Sequence, residues 1–270
     1  MVSPSWQNCL GSLKKQAERL LPGINNKTMV PAEMQQEEIE LLKGTFHYEK
    51  MFFVINACTV SIEQANGITR WLGFREGQFT IEKYYSVIHP SYLAAQMAGM
   101  YELFEFSMSG KVPVQFMGYY FTDMIALQHA SGHYRLFKRM IIPFQHDDKS
   151  RLLSYLNEFT LIGQCNSKPY CTRITDRLGN AVEWQDDYFT GIKTFFEKQS
   201  IFSSQELRIL YKFASDPSIS SADVAVMFKV KENTIITYKR RILFKAQHFF
   251  QRRFKTAREV AAYLQEYRLI

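Results

Sequence analysis

Three helix-start signals fall inside the last seventy residues, and they leave that stretch little choice but a bundle of short helices. Ser203 stands three residues before Glu206, with Phe202 and Leu207 placed to pin the chain's entry; Ser220 stands three before Asp223, and Thr256 three before Glu259. A hydroxyl at the first position accepts from the amide of the third helical residue, and an acid there reaches back to the cap or settles in the N-terminal dipole. Between the second and third signals, Ile235, Tyr238, Ile242 and Ala246 recur every three or four residues. That spacing predicts a helix burying one apolar stripe, here against Val224, Ala225 and Phe228, with Asn233, Thr237, Arg240 and Phe244 on the opposite side beside Ile236 and Arg241. Four compact helices result, the second and third joined by a tight turn.

The same seventy residues hold all of the chain's net charge. From Ile201 to Ile270 there are 13 Lys and Arg against 6 Asp and Glu, while residues 1–200 carry 20 of each. A surplus confined to one end implies an anionic partner bound there. Basic residues alone more often mark a solvated face; joined to a helix-turn-helix pattern they point to duplex DNA, whose major groove admits a helix. The candidate DNA-binding residues are Lys231, Asn233, Thr234, Ile236, Thr237, Lys239, Arg240, Arg241 and Lys245. Lys239, Arg241 and Lys245, with Arg252 and Arg253, are read as phosphate contacts, which give salt-dependent affinity and register; groove-facing side chains give sequence choice.

The rest of the 270 residues reads differently. Residues 5–43 have helical periodicity, broken at Pro22-Gly23 and resumed in an acidic stretch from Met34 to Leu42; they can pack on the following domain or pair two copies. Short aromatic and β-branched runs follow: Met51–Ile55, Cys58–Gln64, Phe116–His129, Tyr134–Phe144 and Leu152–Gln164, with Ser131-Gly132 as a turn. Ala65 to Ser109 reads as short helices. Two strands, a helical crossover and a three-stranded meander make an α+β antiparallel sheet domain. The expected divisions are a helical extension over 1–44, a sheet domain over 45–185, a linker or connecting helix over 186–201 and an all-α four-helix domain over 202–270.

Within the sheet domain, Asn66–Phe74 after the second strand and Ile88-His89-Pro90 before a long helix form an asparagine-led helix, a Leu-Gly-aromatic turn and a His-Pro start. This order resembles the PAS family of sensor domains. In the C-terminal part, Phe202–Leu210 lies over the Leu-Thr-x-Arg-Glu-x-x-Val-Leu opening of the LuxR/GerE helix-turn-helix family, Asp223-Val224-Ala225 over its Glu-Ile-Ala, and Thr234-Ile235-x-x-Tyr238 over its Thr-Val-x-x-His, followed by Ile242 and Lys245. That resemblance implies a DNA-reading third helix and a dimerising fourth. Gln205, Lys231, Ile236 and Tyr238 depart from the family pattern; a missing cap at Lys231 costs about 1 kcal/mol, and an uncharged Ile236 alters the target sequence.

The expectation is a cytoplasmic transcriptional regulator, a homodimer on double-stranded DNA, with RNA polymerase as a further candidate partner and no membrane segment, since no run approaches the ~18 apolar residues a bilayer demands. The aromatic residues Phe52, Phe53, Phe116, Tyr119, Tyr120, Phe121, Tyr134 and Phe137 either line a small-molecule pocket or fill a core. No cofactor is signalled. Cys9, Cys58, Cys165 and Cys171 are read as buried free thiols, and His89, His129, His133 and His146 as structural rather than metal-binding residues. No catalytic pair is visible, nor the acidic pair, central aspartate and lysine of a phosphorylatable receiver. Rival readings are a sigma-factor-like promoter subunit, a small-molecule enzyme with a basic appendage, and an adaptor docking an acidic protein.

Overall fold

The computed structural model describes residues 5–22, 27–46, 50–110, 112–165 and 172–270. In chain order the elements are α1 (Trp6–Leu20), α2 (Ala32–Phe46), β1 (Lys50–Asn56), β2 (Ser61–Asn66), α3 (Ile68–Leu72), a 3-10 turn, α4 (Ile81–Val87), α5 (Pro90–Met108), β3 (Tyr119–Gln128), β4 (Tyr134–His146), β5 (Leu152–Gln164), β6 (Arg173–Asp176), α6 (Gln185–Lys198), α7 (Ser204–Ser215), α8 (Ser221–Phe228), α9 (Glu232–Phe250) and α10 (Ala257–Glu266).

Alternation along β1 explains the layers. Met51, Phe53 and Ile55 point into one core and Phe52 and Val54 into another, because successive strand side chains face opposite ways. The six strands form one antiparallel sheet in the order β2-β1-β5-β4-β3-β6. The inner face meets α5, α4 and α6, with α1 laid over α4 and α5; the outer face takes Ile39 and Leu42 of α2 onto Phe52, Val54, Ile142, Phe144 and Leu156. With both faces covered, β5 buries every residue from Leu152 to Phe159. Both N-terminal helices therefore pack on the sheet domain. Gln16 of α1 donates to the Tyr101 carbonyl of α5 at 2.8 Å.

Several sequence expectations shift. The second strand starts three residues later than Cys58, since Asn56 Oδ1 accepts from the amides of Cys58 and Thr59 and turns the chain there. A sixth strand, β6, adds to the meander beside β3. The crossover ends in one 19-residue helix, α5, the long helix expected after Ile88-His89-Pro90. Pro90 occupies its first turn and His89 caps it, Nδ1 accepting from the Ser91 amide at 3.2 Å. Burial of the His89 ring, and then the charge of Arg252, lower its pKa. Residues 186–201 are almost entirely the helix α6, whose Tyr188 donates to the Gly99 carbonyl at 3.0 Å. Cys9 is buried, but Cys58 and Cys165 are half-exposed; Cys171, like Gly23, lies outside the described residues.

The sheet-domain aromatics pack against one another, as in the Phe53–Tyr84 and Phe53–Phe159 contacts at 4.9 and 5.1 Å between centroids. A cavity of about 30 Å³, room for a water molecule, lies among Gln96, Asp123, Arg139, Tyr188, Ile192 and Tyr267. Beside it the buried Arg139 Nε donates to Asp123 at 3.0 Å and Nη1 to Tyr84 at 2.9 Å. Among the described residues, no helix is long and apolar enough to cross a membrane.

The last four helices pack onto this domain. Tyr263 of α10 donates its hydroxyl to the Ser91 carbonyl at 2.8 Å, the Arg268 guanidinium sits 3.9 Å above the Phe189 ring, and Phe196 stacks on Phe250.

Candidate nucleic-acid interface

The start of α7 is built as its residues predict. Ser203 accepts from the Glu206 amide at 3.3 Å, and Glu206 accepts from the Ser203 amide at 2.7 Å. Ser220 and Asp223 repeat the reciprocal pair at α8. At α10 Thr256 accepts from the Glu259 amide, while the Glu259 carboxylate takes the amide of Lys255, one residue before the cap. Lys231 caps α9 with backbone alone, so the departure noted there leaves an amide without side-chain help.

Two short helices reach α9 through a turn in which Lys229 adopts φ +54° and donates its amide to the Val226 carbonyl at 3.1 Å, while Val230 donates to that of Ala225 at 3.0 Å. These bonds close α8 in the manner of a left-handed C-cap. They set α9 across α8, and Val224, Ala225, Ile235, Ile242 and Ala246 join one core. Ile235, Ile242 and Ala246 are fully buried.

Opposite that stripe, Asn233, Thr237, Arg240, Arg241 and Phe244 are exposed, as is Lys231 at the start of the helix; Thr234, Ile236, Tyr238 and Lys239 are half-buried. Asn233, Thr234, Thr237, Tyr238 and Arg241 surround a shallow hollow on this face. Arg240 and Arg241 have no carboxylate partner among the described residues. Thr237 spends its hydroxyl proton on the Asn233 carbonyl at 2.9 Å, leaving its oxygen as an acceptor only. Lys239 reaches across to the first residue of α8, donating to Ser221 Oγ at 3.0 Å.

Lys245 departs from its expected place at a phosphate. Its ammonium lies 2.6 Å from the buried Glu206 carboxylate, tying α9 to the first turn of α7. Burial works against the Glu206 charge, but the Lys245 and Ser203 hydrogen bonds outweigh it and hold the carboxyl below its usual pKa. An acid and a base 39 residues apart leave no periodic mark in sequence, so this bond was not legible there. Arg252 is turned toward α10, its guanidinium 5.2 Å from the Tyr263 ring; Arg253 is exposed.

The fourth helix, dimerising in the resemblance, packs on its own chain. Val260, Ala261, Tyr263 and Leu264 are buried inside the chain, against α7, α9 and α5, leaving Glu259, Ala262 and Gln265 exposed. Its apolar face is spent within one copy.

No family model matches the chain, and no curated protein does. Similar solved structures include the N-terminal domain of a diguanylate cyclase with PAS/PAC sensor from Marinobacter aquaeolei, 16% identical over 43% of this chain and 96% of that one with a TM-score of 0.36. They also include the VqmA–ligand–DNA complex of Vibrio cholera, 11% identical over 87% and 89% with a TM-score of 0.28, and Escherichia coli SdiA, 13% identical over 98% and 99% with a TM-score of 0.29. Similarities of this size leave function to the chain's own geometry.

Proposed function

We propose that this chain is a DNA-binding transcriptional regulator. Residues 202–270 act as a LuxR/GerE-like helix-turn-helix that lays α9 in the major groove, and residues 45–185 as a PAS-like sensory or dimerising domain, with 1–44 as its helical extension and 186–201 as the connection. The observation that carries this reading is the split of α9 into a buried stripe of Ile235, Ile242 and Ala246 and an exposed face of Asn233, Thr237, Arg240 and Arg241. Exposed polar groups held on a rigid rod, two of them guanidiniums without a carboxylate partner among the described residues, suit phosphates and base edges.

In this reading Asn233, Thr234, Ile236, Thr237 and Arg240 meet bases, and Lys231, Lys239 and Arg241 meet phosphates. Lys245 sets the tilt of α9 through Glu206. Two copies on adjacent half-sites supply the affinity that one small domain lacks, and with α10 occupied, contacts outside its apolar face bring them together. RNA polymerase is the downstream partner, and the compartment is the one that holds the genome.

The test is a fluorescence-anisotropy titration of random-sequence 30-bp duplex across a salt series. Three phosphate contacts per protomer predict a slope of log affinity on log salt of about −3 or steeper. Absence of binding, or binding indifferent to salt, refutes the proposal and favours an adaptor.

A further inference from the structure

The outward face of α9 carries an apolar feature that charge does not explain. Phe244 is the one exposed phenylalanine among the described residues, with 74% of its surface open. It lies eleven residues after Asn233, on the same line of the helix and about 16 Å along it. Its ring runs parallel to that of His248, with 8° between planes and 6.5 Å between centroids. On the same face, Thr237 is exposed with its hydroxyl proton engaged by the Asn233 carbonyl, which leaves its methyl as its apolar group for a ligand, and Ile236 is half-exposed at the edge. Apolar groups thus alternate with the amide of Asn233 and the guanidiniums of Arg240 and Arg241.

Water-facing apolar surface gains from being covered, and the flanking charges mark the covering surface as polyanionic. In the major groove only thymine offers an apolar group, its 5-methyl, while guanine and adenine offer the acceptors and donors that Arg and Asn engage. The geometry points to α9 as a reader of thymine methyl groups, with Phe244, Thr237 and Ile236 taking the methyls and Arg240 and Asn233 the neighbouring purines. This deepens the DNA-binding reading and rests on it.

Duplexes selected by the full-length protein from a random 20-bp library give the probe. Thymines at enriched positions are then replaced by uracil, which removes only the methyl. The expected result is thymine enrichment and roughly fourfold weaker binding for each contacted methyl, the worth of one buried carbon. Phe244→Ala binds the thymine form of the selected duplex more weakly and loses the uracil penalty at one position while keeping that at the others. The substitution leaves the fold intact because the ring is exposed. Binding indifferent to uracil overturns this inference alone, and so does Phe244→Ala with wild-type affinity and an unchanged penalty at every position. Failure to retain any duplex overturns the DNA-binding reading with it.

Discussion

At the scale of single residues, exposure and partners divide the basic side chains into three uses. Arg240 and Arg241 are exposed with no carboxylate partner among the described residues, Lys245 is paired with Glu206, and Arg252 lies over Tyr263. Arg240→Ala is expected to lose about 1 to 3 kcal/mol of specific binding and to relax sequence preference, whereas Lys239→Ala weakens all duplexes alike and reduces the salt slope by about one; competition titrations against selected and random duplexes separate the two. Removing one member of the Glu206–Lys245 pair strands the other, so Glu206→Ala is expected to cost about 3 kcal/mol in urea unfolding. The sign with pH follows from the lowered pKa of Glu206. Its ionised form is favoured by folding, so its contribution is fully present above the unfolded value of 4.5 and is lost as pH falls through the lower folded value. Thermal melts below about pH 4.5 should fall more steeply for wild type than for Glu206→Gln; parallel acid limbs would contradict the assignment.

At the scale of elements, what was legible in the sequence tracks how locally each element is determined. The β5 run from Leu152 to Gln164 is bounded as read, because an apolar run buried on both faces is its own signal. Three of the four helices after Phe202 carry their caps in sequence, and those capping hydroxyls bond as spaced. The start of β2 is not set by its own residues, since one Asn56 side chain decides where the turn ends, and β6 leaves no local signal because Arg173–Asp176 is four residues long and depends on β3 for its pairing. The α6 segment has Tyr188, Phe189, Ile192 and Phe196 at helical spacing, yet its role depends on α5, which no local pattern reveals. Tight contact defines that packing: a Cβ on Gly191 would lie 2.1 Å from the Glu102 carboxylate. Gly191→Ala forces the Glu102 carboxylate aside, an overpacking cost offset in part by the roughly 1 kcal/mol gained when alanine replaces a mid-helix glycine, so chemical denaturation is expected to show a net loss of about 1 kcal/mol. An unchanged midpoint would show that the two helices have slack.

At the scale of the whole molecule, the basic helices and the sheet domain share one core through α5, α6, α9 and α10. Sequence division into separate units says nothing of that contact, since Tyr263 and Ser91 are 172 residues apart. Tyr263→Phe strands the Ser91 carbonyl and is expected to cost about 1 to 2 kcal/mol, with faster hydrogen exchange at the start of α5 and along α10; exchange unchanged in both would detach this bond from the docking. That docking leaves the exposed face of α9 turned to solvent, so the account stands or falls on what this face does. The most direct measurement is an anisotropy titration of a selected duplex with wild type and the charge-reversed double variant Arg240→Glu/Arg241→Glu, after confirming equal melting temperatures. The account predicts a loss of affinity on the order of a hundredfold or more, about 3 kcal/mol at two charge-assisted contacts. Equal affinities in two equally folded proteins would contradict it.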